Sequence, residues 1–167
     1  IDRLGTGLAN QGWKDSGDSI QWRDGTLADG PIALCEVQGY AYEAALVGAD
    51  LLEAFGDDAD AADATTWRTW AAALRERFAA AYWVQTPEGR YPAVALDRDK
   101  KPVDTLTSNI GHLIGTGILD PDDEAHLARL LLGESMSSGY GIRTLSTGAA
   151  GYWPLSYHGG SVWVHDT

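Results

Sequence analysis

The segment 10–19, Asn-Gln-Gly-Trp-Lys-Asp-Ser-Gly-Asp-Ser, places two carboxyl groups, Asp15 and Asp18, beside an indole and a lysine. A carboxyl group acts as a general acid when it stays protonated, and the apolar Trp13 ring favours the neutral form by desolvating the charge. The Lys14 ammonium favours the ionised carboxylate instead, if the two side chains are in contact. Because neighbouring loop residues often point apart, Lys14 leaves the acid role of Asp15 open and could itself contact a substrate hydroxyl. The alternative is purely structural, since Asp is also a common turn residue.

A second segment, residues 146–166, also interleaves aromatic, small and polar residues. Such residues suit sugars, whose C–H faces stack on flat rings while their hydroxyls form hydrogen bonds. The chain has 7 Trp and 7 Tyr but only 2 Phe. This aromatic composition also favours sugar binding, although a Trp-rich core would give the same composition. Glycoside hydrolysis needs two carboxyl groups that flank the scissile bond, so the two segments are candidates for one site.

Other chemistries have less support in the sequence. The four His residues lack a compact metal-binding spacing, and an acyl or metal hydrolase that uses His158, His165 and Asp166 is the weakest alternative. The net charge of −12 argues against a nucleic-acid surface, and no apolar run is long enough to span a membrane. The single Cys35 suits a buried thiol in a reducing compartment. We therefore expect a cytoplasmic protein with no cofactor and no metal, whose oligomeric state is open.

Long helices must position these loops. The pair Gly30-Pro31 predicts a helix from Pro31 to Phe55 with Pro31 in its first turn, and Glu36 begins a heptad-spaced polar stripe that looks exposed. A second helix is predicted over Asp63–Trp83 because apolar residues recur at i, i+3, i+4 and i+7. On that face Trp67 and Trp70 are expected in the core. The two helices predict an antiparallel helical hairpin.

The second half of the chain predicts smaller elements. A short polar turn over 97–101 predicts a β-hairpin within residues 88–105. Residues 107–109 offer a cap for a short helix, and Asp120-Pro121 predicts another helix that ends near Leu132. Beyond it the chain is expected to be loop. Because helix pairs arranged in a ring send their loops to a common mouth, we expect the segments 10–19 and 146–166 to meet.

Four ordered motifs together carry a resemblance to a known family. They are residues 10–19, 31–40 (Pro-Ile-Ala-Leu-Cys-Glu-Val-Gln-Gly-Tyr), 139–145 (Gly-Tyr-Gly-Ile-Arg-Thr-Leu) and 152–166. In these motifs the chain resembles the bacterial amylo-alpha-1,6-glucosidase (glycogen-debranching-like) family, which is related to glucosidases with an (α/α)6 barrel. The resemblance implies a mainly α fold, a portion of an (α/α)6 barrel with helical hairpins, a small β-hairpin and long loops. It also implies that residues 1–167 are a partial catalytic domain of a larger chain.

The resemblance implies site residues as well. Related barrels take their general acid from a Gly-Trp-Asp-type motif, whose nearest equivalent is Asp15. Lys14 offsets the match by one residue, so Asp18 stays an alternative. Substrate contacts are implied for the following residues: Trp13, Lys14, Glu36, Gln38, Tyr157, His158, Trp163, His165 and Asp166. The catalytic base is expected beyond Thr167.

The function implied by this resemblance is that of a glycoside hydrolase fragment. It would act on α-glucosidic linkages of oligo- or polysaccharides by acid/base catalysis with inversion, and the fragment alone would be inactive. Two departures bear on substrate specificity, since the family more often has Asn-Pro at Trp153-Pro154 and Trp-Pro-His-Asp at 163–166. The alternative is a non-catalytic helical carbohydrate-binding or structural module.

Overall fold

Two long helices, α1 (Cys35–Phe55) and α2 (Asp60–Ala81), dominate the structure, a computed structural model that describes residues 12–57 and 60–166. They pack against each other, as the sequence predicts for a helical hairpin. At the surface, Arg68 of α2 donates to Asp50 and Glu53 of α1, at 2.6 and 2.7 Å. Exposed pairs of this kind contribute little stability, so apolar packing holds the hairpin together. Neither helix is long and apolar enough to cross a membrane, nor is any other helix within the described ranges.

The start of α1 differs from the prediction. The peptide bond between Gly30 and Pro31 is cis, and the helix begins at Cys35 instead of Pro31. The intervening strand β1 (Ala33–Leu34) pairs antiparallel with β4 (Ala95–Leu96). Tyr82 Oη also donates to the Ala33 carbonyl at 2.9 Å. These tertiary contacts hold Ala33 and Leu34 extended, so the Pro31 start signal is overridden.

The end of α2 is also earlier than predicted, because Trp83 begins a strand. Strand β2 (Trp83–Thr86) pairs with β3 (Gly89–Pro92) in a hairpin that the sequence analysis did not identify. The predicted hairpin is present as β4 and β5 (Pro102–Val103). Its turn is closed by Asp97, whose Oδ1 accepts from two backbone N–H groups, of Asp99 and Lys101. The order β1-β4-β5 places this sheet beneath the start of α1.

The remaining elements are short. A 3-10 helix covers Ser108–Leu113, and helix α3 (Pro121–Leu131) has Pro in its first turn, as predicted. Asp120 stands at the N-cap position of α3, but its carboxylate pairs with Arg75 at 2.7 Å instead of capping the helix. Beyond α3 the chain forms irregular loops joined by isolated bridges, and a 3-10 turn over Val164–Asp166 follows.

The main core lies between α2, the 3-10 helix and α3. Its buried side chains include Phe78, Tyr82, Tyr91, Leu106, Ile110, Leu113, Leu127, Leu131 and Met136. Trp67 and Trp70, which the sequence analysis assigned to the core, are instead 48% and 40% exposed. They line an open apolar groove with Leu51 and Phe55 of α1. The periodicity identified the apolar face correctly, but no element within the described residues covers that end of the hairpin.

Candidate functional site

The two candidate segments meet around the indole of Trp13. Its ring centroid lies 4.8 Å from that of His165 and 5.2 Å from that of His158, both in edge-on orientation. Trp163 and His112 lie slightly further away, at 6.3 and 6.2 Å. We call these five residues the Trp13 cluster. The loop before α1, the 3-10 helix and the last loop of the chain each contribute to it, so the expected meeting of the two segments is observed.

Two buried polar atoms of this region have no hydrogen-bond partner within the part of the chain that the structure describes. They are Nε1 of Trp13, which can only donate, and Oδ2 of Asp166, which accepts when the carboxyl group is ionised. A buried polar group without a partner costs about 1–3 kcal/mol. A ligand or water that accepts from the indole and donates to the carboxylate would remove this cost.

A relay of two hydrogen bonds, through His112 to the exposed Tyr40, orients Asp166. Its Oδ1 lies 2.8 Å from Nε2 of His112, whose Nδ1 lies 2.7 Å from the Tyr40 hydroxyl. With the carboxylate ionised, Nε2 of a neutral His112 donates to Asp166 and Nδ1 accepts from Tyr40. The Asp166 side chain is fully buried, so this relay fixes the direction in which Oδ2 points.

Lys14 faces the protein interior. It is 0% exposed, and its ammonium donates to Ser108 Oγ at 2.7 Å, Asn109 Oδ1 at 2.8 Å and the Thr144 carbonyl at 2.7 Å. Burial lowers the pKa of Lys14 to about 8, while the charges of Asp166 and Glu36 act to raise it. This placement differs from the expected contact with a substrate hydroxyl, because all three donors of the ammonium have protein acceptors.

Glu36 is buried too, at 1% exposure, so the polar stripe predicted on α1 does not begin at the surface. Its Oε1 accepts from Asn109 Nδ2 at 2.8 Å, and burial raises the pKa of its carboxyl group. Gln38 is partly buried and donates to the Leu34 carbonyl at the start of α1. Both residues, expected to contact sugar, thus bond to protein groups in the structure.

Asp15 and Asp18 are both exposed. Lys14 and Asp15 therefore lie on opposite sides of the loop, one inside and one outside. Both carboxylates are close enough to His158 to raise its pKa, although burial and then the Lys14 charge lower it overall. Nδ1 of His158 also lies 2.9 Å from the Ser16 hydroxyl. The geometry brings both acid candidates to the rim of the Trp13 cluster and leaves the choice between them open.

Aromatic side chains also form the protein surface next to the Trp13 cluster. Tyr157 is 61% exposed, and its ring lies 4.2 Å from His158 and 5.0 Å from Trp163 between centroids. Trp163 Nε1 donates to the Tyr157 carbonyl at 2.9 Å, which holds the two rings together. His165 is exposed. Within residues 12–57 and 60–166, no group of three or more His, Cys, Asp or Glu residues is arranged to hold a metal ion.

Comparison with known proteins identifies the family. Residues 5–167 match the model of the mannosylglycerate hydrolase MGH1-like glycoside hydrolase domain. The chain belongs to this glycoside hydrolase family. The family supports the expected glycosidase, whereas amylo-alpha-1,6-glucosidase specificity is a finer assignment than the match provides. No curated protein matches the sequence.

A solved structure gives the fold of the MGH1-like chain. Neutral trehalase from Saccharomyces cerevisiae is similar with a TM-score of 0.58 and 15% sequence identity over 90% of this chain. The matched region is 26% of the trehalase, so the chain spans about a quarter of that protein. At this identity the likeness concerns the fold alone. Together with the mainly helical structure it fits part of an (α/α)6 barrel.

Three residues of the candidate site were not identified from the sequence. They are Asn109, His112 and Tyr40. Tyr40 follows Glu36 by one helical turn, which was the available signal, but its bond to His112 joins positions 72 residues apart. Asn109 was considered only as a helix cap and His112 only as a metal ligand. Their roles depend on contacts between distant segments that local patterns do not show.

Proposed function

We propose that these residues form the acid-bearing part of a glycosidase active site that acts on α-glucosidic linkages. Asp15 protonates the leaving-group oxygen, and a carboxylate outside this chain activates water, with inversion of configuration. The observation that carries the proposal is the Trp13 cluster and the neighbouring Asp166, whose two buried polar atoms lack a partner among the described residues, next to the loop that bears Asp15 and Asp18.

The chemistry of the Trp13 cluster and of its neighbours Tyr157 and Asp166 fits a sugar ring. Tyr157 and Trp163 offer aromatic surface for the C–H faces of a pyranose. The Trp13 indole can donate to one hydroxyl oxygen, and Asp166 Oδ2 can accept from a hydroxyl group. Because both atoms are buried, a sugar that satisfies them gains binding energy that a ligand without hydroxyls does not.

The substrate is an oligo- or polysaccharide in this proposal, and amylo-alpha-1,6-glucosidase activity is its most specific form. The names of the matched family and of the structural neighbour add mannosylglycerate and trehalose to the substrates to be compared. Because the base is assigned to residues outside this chain, residues 1–167 alone should not hydrolyse any of them. Hydrolysis by this isolated chain would contradict that assignment.

The test is a pair of isosteric variants in the full-length protein. Asp15→Asn should lower kcat by about three orders of magnitude while sugar binding, measured by calorimetry, persists, because general acid catalysis contributes about 10²–10⁴-fold. Asp18→Asn is the matched control and should retain most activity. The reverse pattern would assign the acid to Asp18, and full activity in both variants would exclude this loop as the source of the acid.

A non-catalytic carbohydrate-binding module is the second candidate, since the exposed ring of Tyr157 and the buried donor and acceptor would serve binding alone. The same experiment separates the two. A binding module would bind sugar without turnover in the wild-type full-length protein, and Asp15→Asn would change nothing. The stereochemistry of the first-formed product, followed by NMR, tests the inversion.

A further inference from the structure

A buried polar network lies directly beneath the loop that carries Asp15. The Lys14 ammonium donates to Ser108 and Asn109 of the 3-10 helix and to the Thr144 carbonyl of a third segment. Lysine is almost never fully buried unless its charge is compensated, because desolvation of an ammonium is costly. A side chain buried at this cost, with every donor used, ties the loop to two other parts of the fold.

Asn109 joins the two charges of this network. Its Oδ1 accepts from Lys14 Nζ and from the Thr107 hydroxyl, both at 2.8 Å, and its Nδ2 donates to Glu36 Oε1 at 2.8 Å. The amide of Asn109 presents an acceptor to the cation and a donor to the carboxylate at once. Asn109 is 0% exposed, so the network Lys14–Asn109–Glu36 connects the loop to the first turn of α1 through the protein interior.

The network also underlies the Trp13 cluster. Lys14 Nζ lies 5.1 Å from the centroid of the Trp13 ring, within the range of a cation–π contact. The groups that act on His158 electrostatically are Lys14, which lowers its pKa, and Asp15, Asp18 and Asp166, which raise it. The Lys14 cation thus helps to hold the Trp13 ring and sets part of the field at the cluster.

We infer that Lys14, Asn109 and Glu36 are positioning residues that hold the Trp13–Asp15 loop from inside the protein and do not contact substrate. The inference rests on the proposed function, because it concerns how the acid is held. A substrate-contact role for Lys14 or Glu36 would require side-chain atoms at the surface, whereas the two residues are 0% and 1% exposed.

The test uses the full-length protein with Lys14→Met, Glu36→Gln and Asn109→Asp, and with Lys101→Met as an exposed control. A displaced acid acts on the chemical step, since a misplacement of about 1 Å can cost about 10²-fold in rate. We therefore expect each network variant to lower kcat by about 10- to 100-fold with little change in KM. Asn109→Asp should be the most severe of the three, because it places a second carboxylate against Glu36. A KM that rises while kcat is retained would show direct substrate contact and overturn the inference.

A second readout tests where the Lys14 cation lies relative to the Trp13 cluster. In Lys14→Met the pKa of His158, followed by NMR, should rise because the opposing cation is gone, and in Lys101→Met it should not change. If Lys14→Met fails to fold, the nearly isosteric Glu36→Gln still decides, and unchanged kcat in a folded Glu36→Gln protein would refute the inference. If the wild type hydrolyses no substrate, the proposed function fails, while an unchanged His158 pKa in Lys14→Met would separately refute the placement of the Lys14 cation beneath the cluster, and with it the inference.

Discussion

Titration of Lys14 offers a quantitative test of the buried network. Burial lowers the pKa of Lys14 from its ordinary 10.5 to about 8. Between these two values the unfolded chain binds the proton and the folded protein does not. Stability therefore rises with pH across the window from about 8 to 10.5, and the charged form costs stability below it. A difference of 2.5 pKa units at about 1.36 kcal/mol each corresponds to about 3 kcal/mol.

Other buried groups titrate in the same range with the opposite sign. Burial raises the pKa of Cys35 and raises that of Tyr91 to about 12, so both remove stability as the pH rises through their unfolded values. The wild-type curve alone would mix these contributions. Lys14→Met retains Cys35 and Tyr91, and the difference between the two proteins therefore reports the lysine together with its electrostatic coupling to Cys35.

The assay is chemical denaturation of the full-length wild type and Lys14→Met, followed by a probe in this domain, at pH 7.5 and pH 10. Between pH 7.5 and pH 10 the free energy of unfolding should increase by about 2 kcal/mol more in the wild type than in the variant, because most of the titration window is crossed. An equal difference in unfolding free energy between the wild type and Lys14→Met at both pH values would refute the reasoning. It would show that Lys14 keeps an ordinary pKa and that its burial costs no protonation energy.

The remaining predictions concern the Trp13 cluster and the core beneath it. Asp166→Asn should lower kcat/KM by about 10- to 150-fold in steady-state assays, because a hydrogen bond to a charged group contributes about 1.5–3 kcal/mol; unchanged kcat/KM would remove Oδ2 from the substrate contacts. Trp13→Phe keeps a ring but loses the donor and should weaken sugar binding in calorimetry by about 2- to 10-fold, and equal affinity would contradict a bond to Nε1. Phe78→Ala should destabilise the protein by about 3–5 kcal/mol in chemical denaturation. The reason is that the ring is 1% exposed and stacks on Tyr82 with 4.4 Å between ring centroids. A loss below about 1 kcal/mol would show that the core relaxes around the cavity.

The elements that the sequence predicts well are those with local signals. Helix α3 begins at Pro121 with three acidic residues in its first turn, and the Asp97 turn closes through bonds to residues two and four positions further on. Both features are complete within a few residues of chain. The interior periodicity of α1 and α2 is equally local, so the existence of these helices and the end of α1 at Phe55 were predictable, although the start of α1 and both ends of α2 were not.

The errors at Ala33, Leu34 and Glu36 share one physical origin, which is contact between distant segments. Ala33 and Leu34 are extended because they pair with Ala95 and Leu96, more than 60 residues away in the chain. Glu36 is buried because Asn109, 73 residues further on, satisfies its carboxylate. A heptad spacing cannot distinguish a solvated acidic stripe from a buried acid that has a distant donor. The same limit concealed the relay from Tyr40 through His112 to Asp166.

The placement of Lys14 bears on the choice of acid. In the Gly-Trp-Lys-Asp segment the lysine takes the inward position after Trp13, and the next residue, Asp15, therefore faces outward. Asp15 directly follows Lys14 in the chain, so the buried Lys14 side chain holds the backbone on the N-terminal side of Asp15. Asp18 lies further along, within a turn closed by the Ser19 N–H donating to the Ser16 carbonyl at 3.1 Å. A general acid must be held in a fixed position relative to the scissile bond. The extra lysine, which offsets the motif in sequence, thus anchors Asp15, while Ser19 and Gln21 anchor Asp18 in the same way, so the paired Asn variants must decide between the two acids.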